Sequence, residues 1–249
     1  MATIHHRFLG KQEGDFNPNQ PDTHQFLDLL DVSFCSRPDD PQKIFFPSCQ
    51  FTTRVVALGA EDNKIVSEVV TTKRPADGVV IDKTYVAGLI FNADCPVVCI
   101  FEPAKSRFAV LHAGFRCLMP AVDSKGKRGR GIIKAAFEDF KFDVSDVKVW
   151  AGMGIGPCCY GAEHWPEMKD QSVDIPIGKA TRGARAGKKS IDLIQLIYKQ
   201  VVAQGVKPTK IELDAECTCC KGYFLAPRFH SNCRSGKQAG RNAVGFWMT

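Results

Sequence analysis

The chain has 249 residues, 44 % of them hydrophobic and 24 % charged, which is ordinary for a water-soluble globular protein. This length suits one large domain or two small ones, and it is enough to bury a core without disulfides. The net charge of +6 slightly favours an anionic ligand but does not by itself indicate nucleic-acid binding, and no apolar run reaches the length of a membrane span.

The chain has eleven cysteines, whose redox state depends on the compartment. Residues 1–13 contain no apolar segment of the kind that a signal peptide needs, and an odd number of cysteines argues against a disulfide framework. We therefore expect a cytoplasmic protein with reduced thiols and no membrane partner.

Turn-forming and polar residues dominate residues 1–25, and this composition predicts a loosely ordered arm. The first half of the remaining chain has short apolar and β-branched segments separated by few residues, which predicts antiparallel or mixed sheet. A core segment is expected at residues 27–35, and strands at residues 54–58, 64–70, 79–81, 86–92, 97–101 and 107–112.

The second half of the chain has a different spacing of apolar residues. Apolar residues at helical spacing predict helices over residues 131–140 and 191–204, and strands are expected at 147–151, 211–213 and 244–248. The mixture predicts a single α+β domain of mixed β-sheets flanked by helices. No Gly-x-Gly-x-x-Gly sequence follows a strand, and no P-loop is present.

Cys95 and His112 are the first candidate functional residues, because each lies where an apolar segment gives way to a turn. A thiolate and an imidazole held together can bind a soft metal ion or act as a nucleophile and its base. The alternative is structural, since cysteine is often buried and a core histidine can bond to a backbone carbonyl. Gly114, two residues after His112, leaves backbone room for a ligand.

The sequence Gly154-Ile155-Gly156-Pro157-Cys158-Cys159-Tyr160 is a second candidate, a sharply shaped loop whose alternative is an ordinary strand-to-helix turn. A third lies near the C-terminus, where Cys217 and Cys219 are followed by His230 and Cys233. This pattern fits either a structural zinc site or reduced loop thiols.

A basic loop follows these cysteines. Arg234, Lys237 and Arg241 lie on a glycine-containing segment that can hold a phosphate, since arginine suits oxyanions, or can be a solvated basic turn.

Taken in order, these stretches resemble the laccase-domain family, also called multicopper polyphenol oxidoreductases. The similarity covers residues 58–249 and rests on Asp77-Gly78, Ala93-Asp94-Cys95-Pro96, His112-Ala113-Gly114, Gly156-Pro157-Cys158-Cys159-Tyr160, Cys217-Thr218 and Gly240-Arg241. The resemblance implies a laccase-domain-like unit over residues 26–249. It also implies an enzyme acting on purine nucleosides, by phosphorolysis with phosphate and by deamination of adenosine. Copper laccase chemistry is disfavoured, because the chain has only six scattered histidines.

In that family a metal ion, usually taken as zinc, is held by two histidines and a cysteine. Cys95 and His112 match two of these positions and would also be catalytic. Counting back from Asp77 places Glu61 at the third position, whereas a second register places Thr52 there. The resemblance thus implies a zinc site of Cys95, His112 and Glu61, with copper as the weaker candidate. Substrate contacts would come from five residues: Cys158, Tyr160, Arg234, Lys237 and Arg241.

The chain departs from the family pattern at the third ligand and also at Phe115 and Cys117, where tryptophan and glycine are favoured. Two other functions therefore stay open. A metal-free cysteine hydrolase would use Cys95 as nucleophile and His112 as base. A non-catalytic member would bind a nucleotide or a partner. Nucleic acid is not an expected partner.

Overall fold

The computed structural model describes residues 2–18, 23–59, 63–66, 69–121, 124–126, 128–161, 177–181, 186–220 and 228–249. The strands are β1 (Ile4–Leu9), β2 (Lys43–Phe46), β3 (Val55–Ala57), β4 (Asn63–Val66), β5 (Val69–Thr72), β6 (Gly78–Ile81), β7 (Val86–Asn92), β8 (Val97–Glu102), β9 (Arg107–His112), β10 (Lys148–Gly152), β11 (Ile177–Lys179), β12 (Lys189–Ile191), β13 (Ile211–Leu213) and β14 (Asn242–Met248). The α-helices are α1 (Thr23–Phe34), α2 (Phe115–Leu118), α3 (Ile132–Phe140), α4 (Leu193–Ala203) and α5 (Asn232–Ser235).

Two six-stranded mixed sheets form the centre of the fold. The first sheet has the order β1-β14-β7-β2-β5-β4, and the second has the order β13-β10-β8-β9-β6-β3. Each contains both parallel and antiparallel neighbours; β2 is parallel to β7, for example, whereas β8 is antiparallel to β9. The predicted α+β fold of mixed sheets with flanking helices is confirmed.

Three layers of core explain the apolar sequence pattern. Residues such as Ile90 of the first sheet and Val110 of the second fill the space between the sheets. Leu30 of α1 packs on the outer face of the first sheet. Ile133 of α3 and Leu196 of α4 pack on the outer face of the second. The central strands β7, β8 and β9 are therefore covered on both faces, which is why they read as continuous apolar runs rather than alternating ones.

The helices follow local signals. The side chain of Asp192 accepts a hydrogen bond of 2.9 Å from the backbone N–H of Gln195 and so caps the start of α4. That helix ends beside Gly205, whose φ of +98° an L side chain rarely adopts. No helix in the described ranges is long and apolar enough to cross a membrane.

The N-terminal residues differ from the sequence expectation. Residues 4–9 of the predicted arm form β1, which pairs antiparallel with β14 from Ile4↔Met248 to Leu9↔Ala243. The partner strand lies more than 230 positions away in the chain, so local composition carries no signal of this pairing. The division into an arm over 1–25 and a domain over 26–249 otherwise remains a prediction.

Two other expectations change in detail. The single strand predicted over residues 64–70 is a hairpin of β4 and β5, and the core segment predicted at 27–35 lies largely in α1. Strand β2 was not predicted, although its burial pattern shows three of its four residues inside the core.

Candidate functional site

A cavity of about 530 Å³ lies at one end of the two sheets, where the loops after β7, β9 and β10 meet. The strand pairing explains the convergence: Val97 at the start of β8 pairs with His112 at the end of β9 and with Gly152 at the end of β10. The chemically active side chains on its wall are Cys49, Cys95, His112, Tyr160, Cys233 and Arg241.

A buried carboxylate–imidazole pair forms one wall of this cavity. The Nδ1 of His112 lies 2.6 Å from Oδ1 of Asp77, and the two side chains are 7 % and 0 % exposed. The backbone N–H of His112 also donates to the carbonyl of Asp77 at 2.7 Å, which fixes both residues across neighbouring strands. With Asp77 on Nδ1, the other ring nitrogen, Nε2, is left for a metal ion or a substrate.

Asp77 is itself held by the loop that precedes β3. Its Oδ2 accepts hydrogen bonds from the backbone N–H and the hydroxyl of Thr52, at 2.6 and 2.8 Å. The N–H groups of Gln50 and Phe51 also donate to this carboxylate, each at 3.2 Å. Burial alone would raise the pKa of Asp77, but His112 and Thr52 hold it below its usual range, so the carboxylate is charged.

Three thiols surround the imidazole. Cys49, Asp77 and His112 each offer one ligand atom, and these atoms lie within 4.8 Å of one another. The Sγ of Cys117 is 4.0 Å from Nδ1 of His112. Burial by itself lowers the pKa of His112, but the electrostatic interaction with Cys95 and the hydrogen bond to Asp77 raise it well above its usual value. His112 thus lies between a carboxylate and thiols, an arrangement of ligand atoms that could hold a metal ion.

Two buried polar residues hold the loop that carries Cys95. The amide of Asn92 donates to the carbonyls of Cys95 and Met153, at 2.7 and 2.8 Å. Asp94, at a φ of 94°, accepts from the hydroxyl of Thr218 at 2.7 Å and from the N–H of Cys233 at 2.6 Å. The turn at residues 92–95 is therefore bonded to three other segments, at Met153, Thr218 and Cys233. These bonds fix the position of Cys95 on the cavity wall.

Comparisons with known proteins agree with this architecture. Residues 38–249 match the family described as multi-copper polyphenol oxidoreductase laccase. The chain belongs to this family. It is similar to the YfiH protein of Bacillus licheniformis, with a TM-score of 0.72 at 17 % identity, over 99 % of this chain and 93 % of that one.

Three relatives of this chain carry the name purine nucleoside phosphorylase, and two of them are bacterial. The protein from Clostridium acetobutylicum is 29 % identical over 168 residues, 66 % of this chain and 64 % of the relative. The protein from Bacteroides thetaiotaomicron is 26 % identical over 161 residues, 64 % of this chain and 56 % of the relative. The alignments thus span less than two thirds of the length of each relative.

Of the site residues that the resemblance to the laccase-domain family implies, four line the cavity: Cys95, His112, Tyr160 and Arg241. The guanidinium of Arg234 instead donates to the carbonyls of Thr218, Cys219 and Phe229. Lys237 is exposed on a 3-10 turn at Gly236–Gln238, and Cys158 lies in a separate group of thiols. Glu61, the predicted third metal ligand, lies outside the described residues.

The sequence alone does not identify two members of the cavity site. The sequence prediction contains Asp77 only as part of a motif, without a role, and does not contain Cys49. The available signal was the second register, because Thr52 does lie against Asp77, and Cys49 comes three residues before it.

Gly114 gives a direct test of the close packing around Cys95. A Cβ at this position would lie 2.9 Å from Sγ of Cys95 and 3.5 Å from Cε1 of His112. We expect Gly114→Ala to displace the sulfur and to lower metal affinity by about tenfold or more, the scale of a disturbed metal-ligand geometry. Metal titration measures this effect.

Gly129→Ala is the matched control, because its new Cβ would meet only Pro120 at 3.5 Å or more. Equal metal affinity in the two variants would show that the sulfur of Cys95 tolerates displacement and is not a ligand.

Proposed function

We propose that this chain is a metal-dependent enzyme that cleaves purine nucleosides with phosphate. The observation that carries the proposal is the buried Asp77–His112 pair facing thiols in a cavity of about 530 Å³, a volume suited to a small organic ligand. The two named relatives point to the same substrates, purine nucleoside and phosphate.

The donor atoms present fit zinc. Cys49 and His112 offer one sulfur and one nitrogen that lie close together. Cys95, on the same cavity wall, would supply a second sulfur and leave a fourth position open, the usual arrangement of a catalytic zinc site. Asp77 then acts as the carboxylate that orients the ligating imidazole. Copper oxidase chemistry fits less well, since His112 is the one histidine among the cavity-lining residues that the structure describes. Glu61 remains a proposed further ligand. When bound, zinc would supply a Lewis acid that polarises an oxygen of substrate or water.

The other cavity residues suit the remaining parts of a nucleoside. The ring of Phe51 is 51 % exposed and its centroid lies 5.4 Å from that of His112, so it offers a face on which a purine base can stack. Arg241 lies on the wall and can attract the phosphate that attacks C1′ of the ribose. The hydroxyl of Tyr160 can bond to the sugar.

Adenosine deamination is the second reaction we propose for this site. Water would replace phosphate as the nucleophile and attack C6 of the base, with ammonia leaving. Both reactions need reduced thiols at Cys49 and Cys95, which is consistent with the expected cytoplasmic location. All eleven cysteines have free thiols in the structure.

Incubation with inosine or adenosine, phosphate and zinc tests the proposal, with free base, ribose phosphate and inosine separated by chromatography. We expect phosphate-dependent release of the base. If the zinc-loaded protein releases neither base nor inosine, the proposal is wrong, and a cysteine hydrolase or a non-catalytic binder is left.

A cysteine hydrolase is the second candidate, favoured by one specific feature: Asp77 orients His112 as the third member of a Cys95–His112–Asp77 triad. Stoichiometric alkylation of Cys95 at neutral pH in protein that retains no metal after purification without chelators would support this function. Zinc that protects Cys95 from alkylation would support the nucleoside enzyme.

Phe51→Ala tests the base-stacking role. Stacking of a base on an aromatic ring contributes about 1–3 kcal/mol, so we expect KM for inosine to rise about five- to hundredfold while kcat changes less. Phe51→Trp keeps an aromatic face and should retain a KM near that of the natural protein. An unchanged KM in Phe51→Ala would place the base elsewhere.

A further inference from the structure

A second group of thiols lies outside the nucleoside cavity. One ligand atom from each of Cys158, Cys159, Cys217 and Cys220 lies within 4.8 Å of all the others. The Sγ atoms of Cys158 and Cys220 are 3.5 Å apart, much longer than a disulfide bond. Four reduced sulfurs therefore face one point.

The sheet topology explains this meeting. Strands β10 and β13 are parallel neighbours, so the loops that follow them leave at the same edge of the second sheet. Gly154 and Cys217 continue this pairing as an isolated bridge, and the N–H of Thr218 donates to the carbonyl of Gly154 at 3.0 Å. Two cysteines from each loop are brought together in this way.

The spacing and the distances suit a tetrahedral thiolate site. Cys217 and Cys220 form a C-x-x-C pair, a spacing typical of structural zinc sites. With zinc–sulfur bonds of about 2.3 Å, tetrahedral geometry requires sulfur–sulfur distances of about 3.8 Å. The observed separations, up to 4.8 Å, need only a small contraction of the group.

The surroundings of the four cysteines favour a rigid site with negatively charged thiolate ligands. Cys159 and Cys217 are 5 % and 7 % exposed. Gly156 allows the loops to approach, because a Cβ there would lie 3.1 Å from Cβ of Cys217 and 3.3 Å from Sγ of Cys158. Arg234 donates to the carbonyl of Cys219 at 2.7 Å, which places a positive charge next to the thiols.

The sequence pattern had indicated a different set. His230, the expected histidine ligand, has its Nε2 2.9 Å from the carbonyl of Gly14, and the Sγ of Cys233 faces the carbonyl of Cys159 at 3.6 Å. Cys219 and Cys233 are not members of the group of four.

We propose that Cys158, Cys159, Cys217 and Cys220 bind a structural zinc ion that ties the loop after β10 to the loop after β13. The site is independent of the proposed nucleoside cleavage, because all four ligands lie outside the set that lines the cavity. It would stiffen one wall of that cavity, to which Ile155 and Tyr160 belong.

The experiment separates the two metal sites. The double variant Cys49→Ser/His112→Ala removes ligands of the first site, and the protein is then purified without a tag under reducing conditions with zinc supplied. We expect one equivalent of zinc to remain bound, with an X-ray absorption first shell of four sulfurs at about 2.3 Å. Adding Cys158→Ser and Cys220→Ser should abolish this equivalent, whereas adding Cys219→Ser should leave it in place.

Cobalt binding tests the same site without the added serine substitutions, in case those variants do not fold. Cobalt added to the Cys49→Ser/His112→Ala protein should give the intense visible bands of a tetrahedral site and thiolate-to-cobalt charge-transfer absorption. Retention of no metal by this protein would overturn the proposal, as would a first shell with oxygen or nitrogen in place of sulfur. A Cys158–Cys220 disulfide persisting under reductant would also overturn it, and so would an iron–sulfur cluster or cuprous ion in preference to zinc.

Discussion

Replacement of His112 by alanine is expected to lower kcat/KM for nucleoside cleavage by about 10²–10⁴-fold, the range associated with loss of a residue that acts directly at the reacting groups. The imidazole is buried, bonded to Asp77 and close to the thiol of Cys49, so no neighbouring side chain in the described wall can take its place. Steady-state kinetics with inosine and phosphate, together with zinc content, measure the effect.

Asp77→Asn should have a smaller effect on activity than His112→Ala. The amide keeps the shape of the carboxylate but cannot stabilise a ligating or charged imidazole, so metal affinity and activity should fall by about 10–100-fold. His5→Ala is the matched histidine control, because His5 lies on β1, away from the cavity, where its ring bonds to the hydroxyl of Thr249. Activity of His112→Ala equal to that of His5→Ala would remove this site from the mechanism.

The convergence of Cys95 and His112 could be predicted because it depends on local pairing. The two residues flank a hairpin of adjacent antiparallel strands, β8 and β9, whose apolar runs and turn residues are visible in the sequence. Once Val97 pairs with His112, the residue two positions before Val97 must lie at the same edge of the sheet.

Cys49 could not be found in this way. It lies in the loop between β2 and β3, and these strands belong to different sheets, so its place beside His112 depends on how the two sheets pack. The same reason explains why the sequence predicts a loosely ordered arm where the structure has β1. Its sequence is polar for a strand, and its rings stack on β14, as His5 does on Trp247 at 5.7 Å.

The group of four thiols can be predicted from the sequence only in part. The C-x-x-C pair of Cys217 and Cys220 is legible in the sequence, but its partners come from a loop 58 positions away from Cys217. Only the parallel contact of β10 and β13 selects Cys158 and Cys159 over the nearer His230 and Cys233.

The largest effect on stability is expected from Glu102→Ala, far from both sites. The carboxylate is 1 % exposed and is bonded to Nε of Arg107, to Nζ of Lys105 at 3.0 Å and to the N–H of Asp143 at 3.0 Å. Its removal leaves the largely buried guanidinium of Arg107 without its carboxylate. Breaking a buried pair costs about 3–5 kcal/mol, and we expect the lower end because Arg107 also donates to the carbonyl of Lys141.

Urea unfolding measures this loss, and Glu138→Ala is the matched control. Glu138 is 45 % exposed in its pairs with Arg130 and Lys134, so its removal should change the free energy of unfolding by less than about 1 kcal/mol. Equal effects of the two substitutions would show that the buried carboxylate adds nothing beyond a surface pair.

The pH dependence of the unfolding free energy separates the loss of the Glu102 charge from the loss of its packing. Burial alone would raise the pKa of Glu102, but the bonds from Arg107, Asp143 and Lys105 hold it below its usual value of 4.5. A carboxyl group whose pKa is lower in the folded state adds stability above its unfolded pKa, and this stability disappears as the pH falls through the folded value. The difference in unfolding free energy between the natural protein and Glu102→Ala should therefore be full at pH 7 and shrink below about pH 4.5. A difference that stays constant down to pH 3 would show that lost packing, not lost charge, is responsible.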